Sequence, residues 1–141
     1  MEQITYQLYF DGGSRGNPGP GGCGYCILKN NHVVFEGKKG LGICTNNYAE
    51  YKGLHYGISL AIEKGVNRLE VFGDSLLIIN QMNRKWECRH KGLRLIFDEV
   101  NVMLRSFDSI TFNHVPRERN AISDSLANEA MDEQAITNKL S

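Results

Sequence analysis

Four carboxylates occupy places where an acid needs a reason: Asp11, Glu50, Asp74 and Asp124. Asp11 closes the alternating apolar run Ile4, Tyr6, Leu8, Phe10, and Asp74 follows the short apolar run "RLEVFG". Each therefore stands at the C-terminal end of an expected strand, the edge where open α/β sheets place ligand sites. Glu50 lies in the first turn of a long helical pattern, on the side of Leu54 and Ala61, which turns it inward. Asp124 comes early in a last helical segment, "RNAISDSLANEAM", from which it could project over the same sheet edge. Each acid also has a structural reading: Asp74 as a cap of "SLLIINQ", Glu50 in a capping box with Asn47, Asp124 as a cap or solvated residue of the last helix. Carboxylates brought together cannot all stay ionised, because like charges raise one another's pKa. Hard divalent cations with oxygen ligands resolve that conflict, and no histidine or thiol is needed.

The stretch after Asp11, "GGSRGNPGPGGCG", spends seven glycines and two prolines before apolar sequence resumes. Ordering so much glycine is entropically costly, so its shape must matter. Gly19, Gly21 and Gly24 satisfy a bare G-x-G-x-x-G, but "YCIL" after them reads as strand, whereas a dinucleotide fingerprint opens a helix. A phosphate loop would need Lys-Ser or Lys-Thr after its last glycine, and a collagen repeat needs many more triplets. The stretch reads instead as a backbone cradle, a loop beside Asp11. Cys23 and Cys26 form C-x-x-C, yet in a strand they point to opposite faces, which excludes a shared zinc ion. With Cys44 and Cys88 they read as free thiols in a reducing compartment.

The elements that must position these groups follow from periodicity. "GYCILKNNHVVFEGKK" reads as two strands joined at Asn30-Asn31. Residues 47–64 place Tyr51, Leu54, Ile58, Ala61 and Ile62 at helical spacing before Gly65. "RLEVFG" and "SITFNHV" are strands, "SLLIINQMN" is a short helix, and Leu93, Ile96, Phe97, Val100 and Leu104 mark another. The expected order is β-β-β-α-β-α-α-β-α, an α/β fold with a five-stranded mixed sheet flanked by helices. One domain over residues 1–135 and a polar tail over 136–141 are expected, fraying from about residue 133.

At 141 residues the chain suits one core. It has neither a long apolar run nor a signal-like N-terminus, so a soluble cytoplasmic or nuclear protein is expected. Net charge is zero, but the sum conceals a division. Arg84, Lys85, Arg89, Lys91 and Arg94 cluster around Trp86 against one acid, Glu87. With four of the 16 acids set aside as ligands, the 16 basic residues leave an excess of four. An acidic metal pocket beside a basic groove is consistent with both figures.

In order and spacing, "YFDGGSRGNPGPGGCG", "TNNYAE", "FGDS" and "HVPRERNAISDSLANEA" resemble the type 1 ribonuclease H family, over roughly residues 4–132. The resemblance implies the ribonuclease H-like fold, with Asp11, Glu50, Asp74 and Asp124 as catalytic, metal-binding carboxylates. It implies cleavage of the RNA strand of RNA/DNA hybrids with two Mg²⁺ ions, or Mn²⁺ as a substitute, leaving 5′-phosphate and 3′-hydroxyl ends. Gly12, Gly13, Asn46, Asn47 and Glu50 become the candidates for reading 2′-hydroxyls in the minor groove. Asn17 and Thr45 resemble the family's DNA-phosphate pocket, with Trp86 and its basic neighbours supporting the same strand, although a lone tryptophan is as readily core. The segment between Asp74 and His114 is too short for the extra basic helix and loop of longer members. "HVPRE" resembles the compact branch, in which Arg117 rather than His114 is the mobile catalytic residue. A monomer with the hybrid as its only partner is implied. A non-cleaving nucleic-acid-binding module and another polynucleotidyl transferase, such as a junction resolvase, remain the competing functions, because fold alone does not fix substrate.

Overall fold

The computed structural model describes residues 3–140. Its elements are β1 (Tyr6–Ser14), β2 (Gly19–Lys29), β3 (His32–Cys44), α1 (Asn46–Glu63), β4 (Arg68–Gly73), α2 (Leu76–Met82), α3 (Lys91–Met103), β5 (Ser109–His114) and α4 (Ala121–Leu140). They form a five-stranded sheet in the order β3-β2-β1-β4-β5. The first three strands pair antiparallel, while β4 joins β1 and β5 joins β4 in parallel. This is the expected mixed sheet.

Local chemistry explains the connections. Asn30 and Asn31 adopt φ of 51° and 66°, the left-handed pair that a two-residue hairpin requires and that asparagine tolerates. Gly65, at φ +74°, ends the turn after α1. The core fills one face of the sheet: Leu8, Phe10, Leu69 and Val71 meet Tyr51, Leu54 and Ile58 of α1, and Ile96, Phe97 and Val100 of α3. On the other face α4 crosses β1, β2 and β3.

The glycine-rich stretch is not a loop. β1 continues through Asp11 to Ser14 and β2 begins at Gly19, so only residues 15–18 turn. The glycines are there because helices ride on them from both sides. A Cβ on Gly12 would lie 2.3 Å from the backbone of Ala49 in α1, and one on Gly24 would lie 2.5 Å from the Ser123 carbonyl oxygen in α4. Gly24→Ala should therefore cost about 3 kcal/mol, since neither backbone can yield. Gly92→Ala, whose Cβ would meet only the His90 side chain at 3.3 Å, should be neutral or slightly stabilising. Urea unfolding of both variants checks this, and equal midpoints would refute it.

A second difference concerns the C-terminus. α4 runs on to Leu140 instead of fraying after residue 133. Lys38 of β3 pairs with Glu129 and Glu133 at 3.0 and 2.7 Å, and Gln134 donates to the Asn138 Oδ1 at 2.9 Å. The last turns thus have contacts that a polar sequence does not advertise. As alternation requires, Cys23 joins the core beneath α1, whereas Cys26 lines a shallow cleft with Tyr9 and Ile122. All four cysteines are free.

Candidate active site

Where β4 ends and β1 runs on past it, Asp11, Glu50 and Asp74 each offer an oxygen, and these oxygens all lie within 4.8 Å of one another. Asp124 lines the same cleft, about 480 Å³ in volume, from α4. The helices do not use these acids as their caps. The N-cap of α1 is Thr45, whose Oγ1 accepts from the Tyr48 amide at 3.3 Å. Ser75 caps α2 by accepting from the Ile78 amide at 3.3 Å. Asp124 lies in the first turn of α4, its amide donating to the Asn120 carbonyl at 3.0 Å. The caps are neighbours of the acids, which leaves the carboxylates facing the cleft.

Burial and mutual repulsion dominate the electrostatics. Desolvation, then the Asp74 charge, pushes Asp11 up to about 8, against a single opposing bond from the Gly12 amide at 2.9 Å. Burial likewise raises Glu50 to about 7, with Ser75 opposing. Asp74 is also raised by burial, and is held back by a hydrogen bond from Asn120 and by the Arg117 charge. An all-oxygen donor set with this much unfavourable charge fits a hard divalent cation.

Around the acids, the sequence-derived contacts fall into two groups. Gly12, Gly13 and Asn46 line the carboxylate cleft. Asn17 and Asn46 belong to one network: the Asn46 amide donates to Asn17 Oδ1 at 3.0 Å, and Asn46 Oδ1 accepts from the Ser14 amide at 2.8 Å. Thr45 and Asn47 flank it, exposed at the start of α1. Trp86 stands apart. It is 47% exposed, so it is not a core residue, and it lines a separate groove of about 1050 Å³ with Arg84, Lys85, Arg89, Lys91 and Arg94. Tyr51 in the core donates to Gln81, which in turn donates to the Glu87 carbonyl at 3.1 Å and fastens this basic segment to α1.

Sequence reasoning missed Asn120. It is 1% exposed, and its Nδ2 donates to the Phe10 carbonyl, one residue before Asp11, at 2.9 Å. The same side chain bonds Asp74 and accepts from the buried Ser123 hydroxyl. It thus ties the strand of Asp11, the side chain of Asp74 and the helix of Asp124 together. An asparagine directly before a helix, four residues ahead of a cleft acid, was the available signal. Asn120→Leu should lower activity 10- to 100-fold, the usual effect of losing a group that orients ligands. Cleavage rates measured well below the variant's melting temperature check this, and a change of under twofold would refute it.

Comparison with known proteins agrees with this geometry. Residues 9–130 match the family described as Reverse transcriptase-like. The crystal structure of RNase H1 from Halobacterium salinarum superimposes with a TM-score of 0.88 at 38% identity, covering 92% of this chain and 98% of that one. The chain belongs to the ribonuclease H family. LC11-RNase H1, solved in complex with an RNA/DNA hybrid, superimposes with a TM-score of 0.85 at 35% identity, covering 91% of this chain and 97% of that one. A bifunctional protein of Mycobacterium tuberculosis is 41% identical over 127 residues, which are 89% of this chain and 35% of that protein. The chain thus spans about a third of the length of that mycobacterial relative, and 63% of the ribonuclease HI sequence of Halobacterium salinarum.

Proposed function

We propose that this ribonuclease H domain hydrolyses the RNA strand of RNA/DNA hybrids, leaving 5′-phosphate and 3′-hydroxyl ends. The observation that carries the reading is the convergence of three carboxylates within 4.8 Å, with Asp124 lining the same cleft and hydrogen-bonded with Asp11. The hybrid bound by LC11-RNase H1 supports the substrate. Asp11, the most buried of the set, would be shared between two cations, with Asp124 serving one and Glu50 and Asp74 the other. When bound, Mg²⁺ or Mn²⁺ would supply an activated water and stabilise charge on the leaving 3′ oxygen. Asn120 holds Asp74 and the β1 backbone just before Asp11 in position. Arg117, 3.8 Å from Asp124, carries a permanent positive charge at the cleft mouth and can hold the scissile phosphate.

Substrate reading divides along the two grooves. The backbone of Gly12 and Gly13, with Asn46, Asn47 and Glu50, faces the minor groove and its 2′-hydroxyls. Asn17 and Thr45 take a DNA phosphate, and the Trp86 groove takes the DNA strand further on. Four free cysteines suit a reducing compartment, and the reading includes a cytoplasmic monomer. RNA/DNA, RNA/RNA and DNA/DNA duplexes of one sequence, run on a gel with and without Mg²⁺, test it. Cleavage confined to the hybrid and dependent on metal is expected. Equal cleavage of all three, or binding without cleavage, would overturn it in favour of another transferase or a non-cleaving module.

A further inference from the structure

Away from the cleft, four of the cation–ring contacts among the described residues lie along one flank of the molecule. Lys52 sits 5.9 Å from the Tyr48 ring and 5.1 Å from the Tyr56 ring, and Lys39 lies 5.6 Å from the same Tyr56 ring. Lys64 lies 5.2 Å from Phe35. Tyr48, Lys52 and Tyr56 follow one another at four-residue steps of α1 and so are neighbours on its surface, while Lys64, at the C-cap, lies about 80° further round the helix than Tyr56 and meets the row through Phe35 of β3. Phe35 and Lys39 come from the face of β3 that turns towards α1, where Tyr25, opposite Gly37, stacks on Tyr56. The result is a stripe of alternating rings and ammonium groups.

The charges on this stripe lack partners. Lys38, one residue from Lys39 but on the other face, is held by two glutamates of α4. Lys39, Lys52 and Lys64 make no ion pair among the described residues. Lys39 and Lys52 nonetheless both approach the Tyr56 ring, so an anion bound beside that ring would meet two positive charges. The stripe starts at Tyr48, two residues after Asn46, which lines the cleft, and reaches Lys64, about 24 Å further along the helix axis. Tyr48, Tyr56 and Phe35 pack partly buried against the core, so what they offer is their remaining surface with the lysines beside it, a combination suited to the bases and phosphates of a single strand, whereas a duplex offers phosphates but no free base faces.

We propose that the flank formed by α1 and β3 binds a single-stranded extension of the nucleic acid held in the cleft. This rests on the proposed hybrid-binding function for what occupies the cleft, but the stripe can be tested separately. Fluorescence anisotropy of the full chain in EDTA compares a short blunt hybrid, the same hybrid with an oligothymidine tail on either strand, and the free tail. In the wild type a tail on one strand should tighten binding about tenfold. Lys39→Gln/Lys52→Gln/Lys64→Gln should erase that gain, lower the salt dependence of tailed-hybrid binding by about 2 in log–log slope, and leave blunt-hybrid affinity and cleavage within twofold. A tail that adds nothing in the wild type would overturn the proposal. So would a triple variant that keeps the gain while only its melting temperature falls, because the lysines would then merely fasten α1 to β3. If no blunt hybrid is bound or cut but the free tail binds the wild type and not the variant, the stripe stands and the function proposed for the cleft falls.

Discussion

Asp11→Asn is expected to abolish cleavage, by at least about 1000-fold or about 4 kcal/mol of barrier, while making the metal-free protein more stable. Both effects have one cause. Asp11 is 8% exposed, and burial beside Asp74 pushes its carboxyl up to about 8. In the absence of a cation, an ionised Asp11 is therefore a destabilising group. The unfolded chain ionises near 3.8 and the folded one near 8, so the favourable contribution of the proton is complete below pH 3.8 and is lost as pH rises through about 8. Glu50, raised to about 7, acts in the same direction over a narrower window.

Asparagine has no such proton to lose. Its Oδ1 can still accept from the Gly12 amide, and its amide can donate where Asp11 now meets Asp124. The variant should fold, and its melting temperature without metal should exceed that of the wild type at pH 8 and approach it at pH 5. Millimolar Mg²⁺ should raise the melting temperature of the wild type at pH 8 and that of the variant much less, because a bound cation stabilises only the state that binds it. Scanning fluorimetry at two pH values with and without Mg²⁺ makes the comparison. Retained activity in the variant, or a wild-type melting temperature indifferent to both pH and Mg²⁺, would remove Asp11 from the ligand set.

The second large effect concerns the residue at the cleft mouth. Arg117→Ala should lower turnover 10- to 1000-fold, about 1.4 to 4 kcal/mol, while His114→Ala changes little. Arg117 follows Pro116 in a short turn, and its side chain is 77% exposed and 3.8 Å from Asp124, too far to be fixed by a hydrogen bond. It is free to swing onto a phosphate. His114 is tied to the sheet: its backbone pairs with Gly73, and its Nε2 lies 3.3 Å from the Asp74 carbonyl oxygen. A guanidinium stays charged across the working range, so turnover should show no histidine-like inflection near pH 6.5. Arg117→Lys should recover part of the loss, since charge returns without the planar fork. Steady-state rates from pH 6 to 9 decide it, and the opposite ranking, with activity following an imidazole titration, would assign the role to His114.

Element order and the mixed sheet were legible in the sequence because both depend on local chemistry, strand alternation to Phe10 and helical spacing from Tyr51 to Ile62. The four acids stood out by their places at run ends and helix starts, were joined into one set by the family resemblance, and lie near caps, Thr45 and Ser75, that the sequence reading does not assign. That Cys23 and Cys26 point to opposite faces likewise followed from strand period alone. What the sequence could not decide were matters of approach between distant segments. The glycines after Asp11 read as a backbone cradle in a loop because glycine lacks a side chain, and the same lack proved to serve close packing: only with α1 and α4 in place do Gly12 and Gly24 become positions where a Cβ would strike backbone. Trp86 could have been core or surface until Tyr51 and Gln81 fixed the basic segment on the outside. Asn120 stood before a helix and four residues ahead of a cleft acid, but its role could not be read from that position, because its partners, Phe10 and Asp74, are 110 and 46 positions away in the chain. Long-range polar bonds and helix-to-sheet distances leave little local trace, since their energy is realised only when the chain closes on itself.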